Sequence, residues 1–236
     1  MSSGCFRFKQ FIINQGKSAF KVGTDGVLIG AAADVSGKKS ILDIGTGTGL
    51  IALMLAQRSS ASITALEPDI DSFLEASENI RQSKWANRIK IENSTLQNFM
   101  GRGKGFDLIV TNPPYFIDSL KNPDPSKSVA RHNDNLSHKD LLEGADRLLS
   151  DEGDLQLILP YEEGLIFMSL ARKMGFYASD ILNIRPKPDS EIKRLILRFS
   201  REEKHFSERF LTIDYGKRHD FTDEYIALTK DFYLKF

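Results

Sequence analysis

The chain has 236 residues, of which 41% are hydrophobic and 27% charged, as in a globular protein that buries a full core. Its 32 basic and 32 acidic residues cancel, which disfavours a protein that depends on non-specific affinity for nucleic acids. A single cysteine, Cys5, excludes an internal disulfide and a cysteine-rich zinc site, and four scattered histidines lack ligand spacing, so no metal is expected.

The N-terminal segment lacks an apolar stretch of signal-peptide length, and no later apolar run has the length of a membrane span. We therefore expect a cytoplasmic protein that does not bind membranes. Residues 1–38 are interpreted as an N-terminal extension, and the alternation Phe6-Arg7-Phe8-Lys9 predicts a short strand with one basic face. A helix of small residues is predicted over residues 26–33, and Thr24 and Asp25 before it either cap this helix or lie over a bound ligand.

From residue 39 to residue 200, short aliphatic runs alternate with longer amphipathic stretches. The runs that predict strands are 41–44, 62–66, 89–92, 106–110 and 155–159, and helices are predicted over 50–57 and 71–81, the second capped by Asp69. This alternation predicts an α/β fold with a parallel sheet covered on both faces. Two further runs, 177–185 and 193–199, flank a proline-rich turn and predict an antiparallel hairpin at one edge of the sheet.

The first strand of this region ends in a glycine-rich sequence, residues 43–49, that opens the next helix. Glycines let the backbone turn sharply and approach a ligand, and a helix N-terminus offers unpaired N–H groups. The spacing differs from the fingerprint that binds a pyrophosphate, whereas an acid at Asp43 suits the ammonium and carboxylate of S-adenosylmethionine. A plain strand-to-helix turn is the alternative. We predict that this cofactor binds to Asp43, Gly45, Thr46, Gly47, Gly49 and Leu50.

Two later strand ends extend the predicted cofactor site. Glu67, followed by Pro68, comes directly after the second strand, where an acid accepts hydrogen bonds from both ribose hydroxyls. After the third strand, many such enzymes place an acid against the adenine amine of the cofactor. This chain has Ser94 and Thr95 there, and a hydroxyl or a backbone group would take over that contact.

The sequence Asn112-Pro113-Pro114-Tyr115 directly follows the fourth strand. The prolines fix the backbone and remove N–H donors, so that carbonyl oxygens stay free to accept hydrogen bonds. The side-chain oxygen of Asn112 and the carbonyl of Pro113 can then accept both hydrogens of an NH₂ group on a conjugated carbon, which returns a usable lone pair to the nitrogen. Tyr115 offers a flat face for stacking. We predict that these four residues catalyse amine methylation by positioning and that Asn112 also contacts the cofactor, although Pro-Pro alone would indicate only a rigid corner.

Residues 201–236 are interpreted as a C-terminal extension of the same domain, which then spans residues 1–236. A strand-like run lies at 210–213, a turn at Tyr215-Gly216 follows, and Thr222 is predicted to cap a final helix. The basic residues favoured for RNA contact are Arg7, Lys9, Lys21, Arg185, Lys187, Lys193 and Arg194. An ordinary position on the solvated surface is the alternative explanation for each of them. Phe6, Phe8 and Phe11 are expected in the core rather than as stacking platforms.

The chain resembles the bacterial tRNA1(Val) (adenine(37)-N6)-methyltransferase family over nearly its full length. The resemblance rests on residues 6–11, Lys21-Val22-Gly23-Thr24-Asp25-Gly26-Val27-Leu28, Asn112–Phe116, Ala130-Arg131-His132 and residues 231–236. It implies a Rossmann-like class I methyltransferase fold with a seven-stranded, mostly parallel sheet, and methylation of adenosine 37 beside the anticodon of one valine tRNA. Lys21, Gly23 and Thr24 are then expected over the methionine end of S-adenosylmethionine.

Asn-Pro-Pro-Tyr alone does not fix the substrate, because DNA adenine and protein glutamine methyltransferases share it. Protein glutamine methylation, methylation of another rRNA or DNA amine, and a non-catalytic RNA chaperone therefore remain alternatives. Arg131 and His132 follow a polar stretch, residues 118–128, which either orders over a flipped nucleotide with Arg131 on a phosphate or stays a solvated loop. The sequence does not indicate an oligomeric state.

Overall fold

A computed structural model describes residues 4–18, 21–99, 105–113, 136–217 and 219–236. In chain order its elements are β1 (Cys5–Arg7), β2 (Ile12–Asn14), α1 (Thr24–Ala32), β3 (Ser40–Ile44), α2 (Leu50–Arg58), β4 (Ser62–Leu66), α3 (Ile70–Arg81), β5 (Ile89–Glu92), β6 (Phe106–Thr111), α4 (His138–Leu148), β7 (Leu149–Pro160), α5 (Tyr161–Lys173), β8 (Tyr177–Arg185), β9 (Arg194–Ser200), β10 (Ser207–Thr212) and α6 (Asp223–Thr229).

The main sheet has the order β10-β8-β9-β7-β6-β3-β4-β5. Strands β7, β6, β3, β4 and β5 are parallel, whereas β9 runs antiparallel to both of its neighbours. The predicted α/β class and mostly parallel sheet are thus confirmed. In the described part of the chain the sheet has eight strands rather than seven, because β10 pairs in parallel with β8. The hairpin of β8 and β9 therefore lies inside the sheet, and its predicted edge position is wrong.

The central strands are apolar on both faces because helices cover both sides of the sheet. Successive side chains of a strand point to opposite faces, so Leu108 and Val110 of β6 join one core layer with Ile41, while Ile109 joins the other with Leu42. All five are fully buried. This rigid sheet fixes where each of its strands ends.

Two predicted helix starts are confirmed by their capping bonds. The Asp69 side chain accepts a hydrogen bond from the Ser72 N–H (2.9 Å), and the Thr222 hydroxyl accepts one from the Tyr225 N–H (3.2 Å). Asp69 thereby starts α3 directly after the tip of β4. None of the helices within the described ranges is long and apolar enough to cross a bilayer.

The two ends of the chain meet beside the main sheet. Strands β1 and β2 form an antiparallel hairpin, and Phe8 pairs with Tyr233 as an isolated bridge. Phe8 and Phe11 are buried, and Phe6 packs against the same core cluster, as expected from the sequence. The N-terminal extension is therefore anchored in the core before it reaches α1.

Candidate active site

Three of the predicted site residues lie at the ends of adjacent parallel strands. Asp43 lies near the end of β3, Glu67 directly follows β4, and Asn112 directly follows β6. Ile44 of β3 stands opposite Leu66 of β4 and Thr111 of β6. The three strands thus end level with one another, at the edge where α/β sheets bind their ligands.

Asp43 is fully buried, and one of its two oxygens is already bound. Its Oδ2 accepts hydrogen bonds from the Thr46 hydroxyl (2.6 Å) and the Ala52 N–H (3.1 Å). Its Oδ1 is buried with no hydrogen-bond partner among the described residues. The pKa of Asp43 is raised to about 7, mainly because the group is buried; the charge of Glu67 contributes to the rise, and the hydrogen bonds from Thr46 and Ala52 oppose it. This carboxyl group suits a buried cationic partner.

The loop between β3 and α2 depends on its glycines. Gly45, Gly47 and Gly49 have φ values of 69°, 58° and 84°, in the left-handed region that other residues rarely adopt. The N–H groups of Gly45 and Thr46 both donate to the Leu66 carbonyl (2.9 Å each), which joins the loop to the end of β4. Hydrogen bonds therefore hold the loop beside the end of β4 and, through Thr46, beside Asp43.

Glu67 is buried at the tip of β4 and binds the same loop. Its Oε2 accepts from the Gly47 N–H (2.8 Å), and its Oε1 accepts from the Asp69 N–H (3.0 Å). Burial raises the pKa of Glu67, and these two hydrogen bonds oppose the shift. Each carboxylate oxygen can accept a further hydrogen bond, so the predicted role towards ribose hydroxyls stays chemically open.

The residues after β5 mainly stabilise the loop in which they lie. Ser94 donates its hydroxyl to the Thr95 carbonyl (3.1 Å), and the Thr95 hydroxyl accepts from the Asn98 N–H (3.2 Å). Asn93 donates its amide to the carbonyls of Glu67 (2.8 Å) and Pro68 (3.0 Å). Asn93 therefore fixes the backbone of the β4 tip, a role that its position in the sequence does not indicate.

Asn112 presents a second buried oxygen without a partner. Its Oδ1 has no hydrogen-bond partner in the ranges that the structure covers, although the residue as a whole is only half-buried. Thr111 before it donates its hydroxyl to the Ile44 carbonyl (2.8 Å), which locks the end of β6 to the end of β3. Pro113 is buried. Pro114, Tyr115, Arg131 and His132 lie outside the described residues.

The block from Lys21 to Asp25 enters α1. Gly23 occupies the N-cap position with an extended backbone and no side-chain capping bond, so the predicted capping by Thr24 or Asp25 is wrong. Asp25 instead accepts a hydrogen bond at Oδ2 from Nε of Arg194, at 2.8 Å. Since Arg194 begins β9, opposite the end of β7, this ion pair ties the start of α1 to the carboxyl edge of the sheet.

Several basic residues proposed for RNA contact already bind other parts of the chain. Lys9 donates its ammonium to the carbonyls of Lys230 and Phe236 (2.7 Å each), and Arg185 donates Nε to the Thr212 hydroxyl (2.9 Å). Lys193 pairs with exposed Glu191 at 2.8 Å. Exposure does not separate the candidates, because Lys9 and Lys193 are exposed in the same way as Arg7, Lys21 and Lys187. RNA contact by any of them stays a prediction. Among the described residues, no group of three His, Cys, Asp or Glu side chains could hold a metal ion.

Comparisons with known proteins agree on a methyltransferase fold. The family model "Methyltransferase small domain" matches residues 22–175. The chain is 47% identical to the tRNA1(Val) (adenine(37)-N6)-methyltransferase of Trichodesmium erythraeum and 45% identical to that of Bacteroides fragilis, and each alignment covers 100% of both proteins. A predicted O-methyltransferase from Agrobacterium tumefaciens has a similar structure, with a TM-score of 0.68, 19% identity and coverage of 88% of this chain and 96% of that one.

Proposed function

The chain belongs to the tRNA1(Val) (adenine(37)-N6)-methyltransferase family, and from this premise we propose that it methylates N6 of adenosine 37 in tRNA1(Val) with S-adenosylmethionine as the methyl donor. The observation that carries the proposal is the pair of buried oxygens without partners among the described residues, Oδ1 of Asp43 and Oδ1 of Asn112. They lie at the ends of two adjacent strands, β3 and β6, at one edge of the sheet. A buried acceptor without a donor is costly, which supports the view that ligands supply the missing donors.

The residues at this edge fit the proposed cofactor. The buried carboxyl group of Asp43 suits the ammonium of the methionine end, and Glu67 retains acceptor capacity for ribose hydroxyls. Gly45, Gly47 and Gly49 allow the backbone to approach a ligand closely. When bound, the cofactor supplies an electrophilic methyl group. The adenine contact of Ser94 and Thr95 stays a prediction, because their hydroxyls already bond within their own loop.

Asn112 and Pro113 act on the target amine in the proposed mechanism. The Asn112 Oδ1 accepts one hydrogen of the adenine NH₂ group, and the Pro113 carbonyl, which stands before a second proline, accepts the other. Held in this way, the nitrogen loses conjugation with the ring and presents its lone pair. Tyr115, outside the described residues, is proposed to stack on the base after the nucleotide has flipped out of its stack.

The neutral net charge implies that local contacts rather than overall attraction bind the RNA. Exposed candidates for such contacts are Arg7, Lys9, Lys21, Lys187 and Lys193, and Arg131 and His132 are proposed to contribute from outside the described residues. Because the proposed substrate is a tRNA, we place the protein in the cytoplasm.

Transfer of a radioactive methyl group tests this function against its main alternative, glutamine methylation on a protein. The purified protein is incubated with labelled S-adenosylmethionine and, in separate reactions, with the tRNA fraction or the protein fraction of a cell extract. We expect label in the tRNA fraction, released as N6-methyladenosine after digestion. Label that enters only protein would show that the substrate is wrong, and a protein that transfers no label to either fraction would leave the chaperone alternative.

A further inference from the structure

Residues 14–18, which we call the strap, run from the end of β2 along helix α3. Three consecutive N–H groups of the strap converge on one carboxylate, that of Glu75. Its Oε1 accepts from Gly16 (2.6 Å) and Lys17 (3.0 Å), and its Oε2 accepts from Ser18 (2.8 Å). Glu75 is only 8% exposed. A charged acceptor that binds three N–H groups holds the strap in one conformation more firmly than a neutral group would.

Asn79, one turn further along α3, joins the strap to the glycine-rich loop. Its Oδ1 accepts from the Asn14 N–H (2.9 Å), while its Nδ2 donates to the carbonyls of Asn14 and Thr48 (2.9 Å each). Thr48 belongs to the loop between β3 and α2, next to Gly47 and Gly49. One fully buried amide group therefore fixes the position of the strap relative to the proposed cofactor loop.

The strap also binds a third residue on the same side of α3. The Ser72 hydroxyl donates to the Ser18 hydroxyl at 3.0 Å. Positions 72, 75 and 79 are three and four residues apart, so they share one face of the helix. All three are polar and buried, where apolar side chains would normally pack. Because burial of polar groups is tolerated only when they are hydrogen-bonded, this face is specialised for directional contacts with the strap.

The strap is also connected to the entry of α1. Gln15 accepts a hydrogen bond at Oε1 from the Val22 N–H, at 2.8 Å. Val22 lies between Lys21 and Gly23, two residues proposed to bind the methionine end of the cofactor. A continuous set of hydrogen bonds thus links α3, the strap, the glycine-rich loop and the residues before α1.

We propose that Glu75 and Asn79 are positioning residues for the methyl donor: they hold the strap against the glycine-rich loop and so place residues 21–24 over the bound cofactor. The proposal rests on the proposed function for the identity of the cofactor. Neither residue is assigned contact with the cofactor. Their action passes through the strap, so they should affect cofactor affinity and leave the reacting groups unchanged.

The Glu75→Gln variant tests the role of the carboxylate, with Glu78→Gln as its matched control. Glu78 lies on the same helix, where it pairs with Arg81 at the exposed surface. S-adenosylhomocysteine is the probe, since it binds without reacting, and calorimetry gives its Kd. We expect Glu75→Gln to raise this Kd by about tenfold, because a neutral amide replaces the charged acceptor of several hydrogen bonds. Glu78→Gln should bind as the unaltered protein does.

Steady-state kinetics separate positioning from general damage to the fold. For Glu75→Gln we expect a higher KM for S-adenosylmethionine, with kcat at saturation and the KM for tRNA within about twofold of the unaltered protein. Asn79→Asp places a carboxylate against two carbonyl groups and should also raise the KM for S-adenosylmethionine. A Kd for S-adenosylhomocysteine that stays unchanged in Glu75→Gln would overturn the proposal, as would equal losses in kcat and in tRNA affinity.

Hydrogen exchange on the unaltered protein provides a readout that does not depend on the folding of a variant. The amides of Gly16, Lys17 and Ser18 should exchange more slowly when S-adenosylhomocysteine is bound, since the ligand stabilises the strap in its hydrogen-bonded conformation. Equal exchange with and without ligand contradicts the proposal. If the protein binds S-adenosylhomocysteine but methylates no tRNA, the proposed function fails while the positioning role stands. If it does not bind S-adenosylhomocysteine at all, the positioning role fails too.

Discussion

Two buried side-chain oxygens at one sheet edge, Oδ1 of Asp43 and Oδ1 of Asn112, have no hydrogen-bond partner within the described ranges. An unsatisfied buried polar group costs about 1–3 kcal/mol, a considerable part of the stability of a domain. Both residues were predicted as site residues from the sequence, because an acid before a glycine-rich turn and an asparagine before two prolines are recognisable patterns. The free energy lost by leaving these two oxygens without hydrogen bonds in the free protein is consistent with ligand binding at this edge.

Replacement of Asn112 by alanine should separate binding from catalysis. Asn112→Ala removes one acceptor for the target amine. We expect kcat to fall about 100-fold, which corresponds to about 3 kcal/mol of barrier, if the loss of this hydrogen bond costs as much as the loss of one hydrogen bond in an oxyanion hole. The Kd for S-adenosylhomocysteine should stay within about threefold. Asn87→Ala, at an exposed position before β5, serves as the control. Turnover of Asn112→Ala equal to that of the control would contradict the mechanism.

Asp43 should make cofactor binding depend on pH. The pKa of Asp43 is raised from its ordinary 3.8 to about 7, so between these values the folded protein holds a proton that the unfolded chain has released. The stability of the free protein should therefore fall as pH rises from about 4 to about 7. An ammonium ligand favours the ionised carboxylate, so the affinity for S-adenosylhomocysteine should rise about tenfold between pH 6 and pH 8.

Calorimetry at the two pH values measures this dependence, with Asp43→Asn as the comparison. The amide cannot ionise, so this variant should bind S-adenosylhomocysteine weakly at both pH values. Equal pH dependence in Asp43→Asn and in the unaltered protein would assign the titration to another group, for which Glu67 is a candidate because its charge acts on Asp43.

Glu75 and Asn79 illustrate the limit of sequence reasoning at the scale of single residues. On α3 they resemble ordinary polar residues of a solvated helix face, and nothing in the spacing connects them with residues 14–18. Their roles depend on contacts between segments about 60 residues apart, which only the folded chain brings together. Thr111 was missed for the same reason, since its partner is the carbonyl of Ile44 on a neighbouring strand.

At the scale of elements, β7 is longer than its aliphatic run. The sequence predicted a strand over residues 155–159, and the structure extends it back to Leu149 through Asp151, Glu152 and Gly153. These three residues are typical of a turn, but a register shift between Phe106 and Leu108 lets β6 pair with both parts of β7. The irregularity depends on tertiary pairing, so the local sequence could not reveal it.

Gly153 should be required for this irregular pairing. A Cβ at this position would lie 2.7 Å from the Phe106 carbonyl oxygen and 2.8 Å from Cδ2 of Leu149. We expect Gly153→Ala to lower the free energy of unfolding by about 1–3 kcal/mol, measured by urea denaturation. Gly105→Ala is the control, because a Cβ there meets no atom of the described residues within 4 Å. A Gly153→Ala protein as stable as this control would contradict the packing argument.

At the scale of the whole molecule, the two termini close against each other. Lys9 binds the carbonyls of Lys230 and Phe236, and aromatic rings from both ends pack together, among them Phe8 on Tyr233 with ring centroids 5.9 Å apart. The C-terminal extension also supplies β10, which the sequence suggested as a strand but could not assign to the main sheet. That one domain spans residues 1–236 stays a prediction, and these contacts support it.

Phe232 should stabilise the packing of the two termini against each other. It is 1% exposed within the core cluster that contains Phe8 and Val27. Phe232→Ala should lower the free energy of unfolding by about 3–5 kcal/mol, the usual cost of a buried phenylalanine. Leu234→Ala, two residues away and 59% exposed, should cost far less. Similar urea midpoints for the two variants would show that the C-terminal segment is not part of the core.

Nucleoside mass spectrometry on tRNA tests the central claim most directly. Valine tRNA is isolated from cells that contain the gene, from cells that lack it, and from the latter supplied with the Asn112→Ala protein. We predict N6-methyladenosine at position 37 in the first sample alone, with unmodified adenosine in the other two. Methylation at this position that persists without the gene would contradict the account.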